Sequence, residues 1–70
     1  MEVYVLTCIA GDYGNYGVFT SPEKATEYAL QYGKEMGCIY EEETIWDGFE
    51  KRCYFDEVVF EITKTRIDDP

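Results

Sequence analysis

Between Glu41 and Glu61 the chain carries eight carboxylates, Glu41, Glu42, Glu43, Asp47, Glu50, Asp56, Glu57 and Glu61, against only Lys51 and Arg52. Side chains of this kind can transfer protons, hold a cation or recognise a charged partner. Acid–base catalysis needs two carboxylates whose surroundings push their pKa values apart, and no spacing here singles out such a pair. Asp12, Asp47 and Glu50 do not fall at the intervals of a Ca²⁺-binding loop. A nucleophile such as Cys8 or Ser21 would need an activating base, and the chain has no histidine. Cys8, Cys38 and Cys53 form no Cys-x-x-Cys pair, so they read as free, reduced structural thiols rather than zinc ligands or bridges. The glycines of Gly11-Asp12-Tyr13-Gly14 lack the lysine and the following helix of a phosphate loop. The residues therefore point to a non-enzymatic protein with no cofactor and no metal.

Recognition is the chemistry that remains. A net charge of -9 on 70 residues repels nucleic acid and anionic membranes, and complements a basic protein surface. The expected partner-binding surface consists of Glu41, Glu43, Asp47, Glu50, Glu57 and Glu61, with Trp46 as its aromatic member. In a hairpin centred near Phe49, Glu41 would face Glu57, and Glu43 and Glu61 would share a face. Like charges so placed weaken a sheet unless solvent or a partner screens them. The aromatic content of 17% exceeds what a one-helix core of this size needs, and Tyr and Trp are frequent interface anchors. A homodimer is a second way of using those rings.

The elements that position these groups are organised around one helix. Ser21 is an N-cap, Pro22 suits the first helical position, and Gly37 supplies a left-handed stop. Ala25, Tyr28, Ala29, Tyr32 and Met36 share one helical face and are expected to meet the core, with Leu30 well away from it. Val3–Ile9 reads as a strand apolar on both faces, and 11–15 as a loop leading to a short strand over 17–20. Residues 38–46 read as a third strand, 47–51 as the turn after it, and 52–65, at its longest, as one return strand whose Val58, Phe60 and Ile62 face the helix. The expected fold is α+β: a single domain over 1–70 with an antiparallel four-stranded sheet and one helix packed on one face (ββαββ). Residues 66–70 are expected to form a frayed tail. No secretory segment follows Met1 and no apolar run is long enough to span a bilayer, so the expected location is the cytosol.

Val3-Tyr4-Val5-Leu6-Thr7, Gly11-Asp12-Tyr13 and Val18-Phe19-Thr20-Ser21-Pro22-Glu23-Lys24-Ala25-Thr26-Glu27-Tyr28 together resemble a group of small uncharacterised bacteriophage proteins. That group shares the order of strand, tyrosine-containing loop, short strand and Glu-Lys-Ala-rich helix. The resemblance covers about the first 30 residues and carries over no catalytic positions; the acidic second half departs from the group. It implies a phage setting, the host cytosol as location, and an inhibitor or modulator of a host defence protein, anti-CRISPR-like or anti-restriction-like. The acidic surface would then act as a DNA mimic. The alternative is a small homodimeric structural or accessory protein whose acidity serves only solubility.

Overall fold

The computed structural model describes residues 1–67. Its elements are β1 (Glu2–Ala10), β2 (Gly14–Phe19), α1 (Pro22–Glu35), β3 (Tyr40–Glu43), β4 (Glu50–Phe55) and β5 (Val59–Arg66). All five strands belong to one sheet in the order β2-β1-β5-β4-β3, and every neighbouring pair is antiparallel. The first and last strands, β1 and β5, lie side by side within the sheet.

The expected four-stranded ββαββ arrangement is therefore corrected to ββαβββ, with a five-stranded sheet. The long return strand is two strands joined at Asp56–Val58, where Phe55 N–H donates to the Val58 carbonyl at 2.9 Å. This turn contains no glycine or proline, and Asp56 is its single turn-forming residue, a weak mark in the sequence. Tertiary bonds hold it instead: the Asp56 carboxylate accepts from Ile39 N–H at 2.9 Å, and Asp56 N–H donates to the Ile39 carbonyl at 2.9 Å. One strand over 52–65 would also have run about 46 Å at ~3.3 Å per residue, far beyond the usual strand length.

Helix α1 begins and ends as its sequence dictates. Ser21 Oγ accepts from Lys24 N–H at 3.2 Å. At the other end Gly37 takes φ 81°, its N–H donates to the Lys34 carbonyl, and Cys38 N–H donates to the Gly33 carbonyl. These two bonds make a Schellman motif, which satisfies carbonyls that the last turn leaves open. The buried face, however, is Ala25, Thr26, Ala29 and Gly33. Ala25 and Ala29 of the expected stripe are buried and Tyr32 packs against the core, but Tyr28 and Met36 are 40% and 38% exposed and Leu30 packs against the core, so the stripe is rotated. Small residues at i, i+4 and i+8 let the helix backbone approach the sheet closely, and the larger side chains flank that contact.

The core lies between α1 and one face of the sheet: Leu6 and Cys8 of β1, Cys53 and Phe55 of β4, Val58, and Phe60 and Ile62 of β5. Val58, Phe60 and Ile62 thus meet the helix as their alternation requires. Between Leu6 and Thr7 the pairing with β2 shifts by one residue. The extra residue, Tyr16, packs in the core layer with its ring 4.9 Å from that of Tyr32 and 5.8 Å from that of Phe60. Among the described residues no helix or strand covers the opposite face of the sheet, where register places Val5 beside Val18 and Thr63. Arg66 closes β5 and Ile67 N–H donates to the Met1 carbonyl at 2.7 Å, so these two residues of the expected frayed tail are bonded into the fold; 68–70 lie outside the described residues. Among the described residues no helix is long and apolar enough to cross a membrane.

Candidate protein-binding site

The carboxylates are distributed by the split of the return strand. Once β4 and β5 are separate, Glu61 stands opposite Arg52, and Arg52 Nε donates to Glu61 Oε2 at 3.2 Å. Glu43 stands opposite the core residue Cys53, and its Oε1 accepts from Lys51 Nζ at 3.1 Å. Glu43 lies on the helix side of the sheet and Glu61 on the uncovered side, so the two do not share a face. Glu41 does not pair with Glu57 either: Tyr40 pairs with Phe55, Glu42 with Tyr54, and Glu41 is the extra residue of a bulge. Glu57 lies in the β4–β5 turn.

Asp47 serves its own loop. Its carboxylate accepts from Phe49 N–H at 2.8 Å and from Glu50 N–H at 2.9 Å, and those bonds hold it below the usual carboxylate range. Trp46 is half-buried with its ring 5.4 Å from Tyr4 in an edge-on contact, so it packs within the fold. Glu50 is half-buried opposite Thr63. The seven expected residues therefore separate into three groups. Glu43 and Glu61 are ion-paired; Trp46, Asp47 and Glu50 cluster around the β3–β4 loop; Glu41 and Glu57 lie at the other end of β3 and β4, near Glu42 and Asp56.

That last end has a structural logic of its own. β3 is an edge strand of four residues, all exposed, and among the described residues it is bonded on one side only. Glutamates on such an edge prevent two copies from pairing edge to edge, since they would bring like charges together. Charge from this region also reaches neighbouring groups. Burial and then the carboxylates of Asp56 and Glu57 raise the Cys38 thiol, and burial and then Glu43 raise the Tyr40 phenol. At neutral pH Cys38 is accordingly a thiol, a poor nucleophile. All three cysteines are free. Among the described residues no group of three or more His, Cys, Asp and Glu is arranged to hold a metal ion.

Two features were not read from the sequence. Between α1 and β3 lies a cleft of about 430 Å³ lined by Leu30, Lys34, Cys38, Tyr40, Glu43 and Phe55. It exists because β3 is too short to cover the second half of the helix. The expectation that residues 38–46 were all strand hid it. The β3–β4 loop also displays Ile45 and Phe49, 90% and 75% exposed. Their apolar character is visible in the sequence, but their exposure is not, since Trp46 between them packs against the core while they do not.

No protein-family model, no curated protein and no solved structure matches this chain.

Proposed function

We propose that this chain is a non-enzymatic binding module that presents the β3 edge and the β4–β5 turn to a basic surface of another protein. In the phage setting implied by the N-terminal resemblance, that partner is a host defence protein in the host cytosol, one whose basic surface ordinarily holds nucleic acid. The observation that carries the reading is the unequal use of charge. Among the described residues Lys51, Arg52 and Lys64 are in ion pairs with Glu43, Glu61 and Glu2, whereas Glu41, Glu42 and Glu57 face solvent outside any such pair. Carboxylates left uncompensated on an exposed edge steer a cationic partner and set the salt dependence of its association.

The test is capture from a bacterial lysate with the wild-type chain and with the Glu41→Lys/Glu57→Lys variant as baits, across a salt series and with competing DNA. A captured protein should be lost with the reversal, with rising salt and with DNA. Capture that survives all three rejects the acidic contact.

A second reading, a homodimer formed through the uncovered sheet face, is favoured by Val18, which is 58% exposed beside Val5 on that face. Sedimentation would then give a dimer that Val18→Lys dissociates, and a monomer at high concentration rejects it.

A further inference from the structure

We infer that β3 and the cleft beside it form a docking site for an extended, Lys- or Arg-rich segment of the partner, which adds to the sheet as a sixth strand and places one apolar side chain in the cleft. The inference rests on the acidic-contact reading and gives it a geometry. Three observations converge on it. Among the described residues β3 pairs with β4 alone, so its free edge offers backbone donors and acceptors that no neighbouring strand uses. Strand addition draws its affinity from such groups and its specificity from pockets for alternate side chains. The cleft meets β3 on the helix side, and Leu30, Cys38, Tyr40 and Phe55 give it an apolar lining. Tyr40 and Glu43 reach into it, and Glu42 points to the uncovered side, opposite Tyr54.

Charge decides which strand can bind. Glu41, Glu42 and Glu43 are consecutive on the edge, and among the described residues Glu43 alone of the three has an ion-pair partner, Lys51. An acidic strand, including β3 of a second copy, is repelled; a cationic strand is attracted. In an added strand side chains alternate, so residues facing Glu42 should be Lys or Arg, and a residue between them should be apolar and enter the cleft.

The probe is the acetylated, amidated peptide Lys-Thr-Lys-Leu-Lys-Thr-Lys, titrated into the full chain and followed by amide chemical shifts, amide hydrogen exchange and the rate of Cys38 alkylation. The expected result is protection of β3 amides, slowed alkylation of Cys38, and affinity that falls about tenfold when alternate peptide amides are N-methylated, the loss of one or two hydrogen bonds. Replacing the peptide Leu by Ala should weaken binding to the wild-type chain by a similar factor, and should have little effect on a Cys38→Phe variant whose cleft is filled. If the N-methylated and Leu-to-Ala peptides bind like the parent while Glu41→Lys/Glu42→Lys abolishes binding, strand addition is overturned and the acidic contact stands. Peptide binding that also ignores the charge reversal overturns both. Shifts confined to the uncovered sheet face place the peptide elsewhere and overturn this site.

Discussion

The backbone of Gly33 lies directly against the ring of Phe55: a Cβ on Gly33 would fall 2.5 to 2.8 Å from three ring atoms. Phe55 is held in turn by Phe60 and Tyr40, with ring centroids 5.8 and 5.7 Å away, so its ring can withdraw only toward the cleft it lines, at the cost of those contacts. Gly33→Ala should therefore destabilise the fold by about 1–3 kcal/mol through overpacking, although alanine gains about 1 kcal/mol of helix propensity. Urea denaturation of the variant checks the sign. A stabilised protein would mean that the ring moves freely. Because Phe55 also lines the cleft, the same variant should shift the Cys38 amide.

Helix α1 carries a second test of which side chains support the core. Tyr28 is 40% exposed and packs its ring against Phe19 and Tyr32, whereas Leu30 packs against the buried cluster on the other flank. Leu30→Ala should cost about 2 kcal/mol, the lower end for buried leucines, and Tyr28→Ala no more than that. Paired urea melts decide it, and a much larger loss at Tyr28 would restore the face drawn from periodicity.

Stability should decline in alkaline solution. Burial pushes the Cys53 thiol from 9.0 up to about 11, and burial followed by Asp12 pushes the Tyr16 phenol from 10.0 up to about 12. Both groups are neutral when protonated, so the fold holds these protons more tightly than the unfolded chain. Their contribution is complete below the unfolded values. It is lost as pH rises through 9.0 to about 11 for Cys53 and through 10.0 to about 12 for Tyr16. Denaturation midpoints from pH 8 upward should fall across this window, and Tyr16→Phe should flatten its upper part.

Arg52 and Glu61 supply the cleanest test of the strand split. They are cross-strand partners only if β4 and β5 are separate. A double-mutant cycle with Arg52→Gln and Glu61→Gln should give a coupling of up to about 1 kcal/mol, as for a partly exposed pair. Glu41→Gln, which removes an unpaired carboxylate from the acidic edge, should leave stability unchanged or slightly raised. Zero coupling at Arg52–Glu61 together with a loss at Glu41 would contradict the register.

The sequence by itself determined the features that depend on neighbours a few residues away. The Ser21 cap, the Gly37 stop and the Asp47 turn each close through bonds within a few positions along the chain, so residue types alone announce them. The alternation of Val58, Phe60 and Ile62 likewise fixed which face of β5 meets the helix. The reversal at Asp56–Val58 closes locally through Phe55 N–H and the Val58 carbonyl, but the two further bonds that hold it come from Ile39, seventeen residues upstream, and local residue types do not announce those. That one turn decided the rest: it added a strand, placed β3 at the edge, and joined Arg52 to Glu61. It thereby turned an evenly acidic stretch into a partly neutralised interior and an uncompensated rim. The helix face was rotated for a related reason. Periodicity marks a stripe of large apolar residues, whereas close packing on a sheet favours the small ones, Ala25, Ala29 and Gly33, and only the approach of Phe55 reveals that preference.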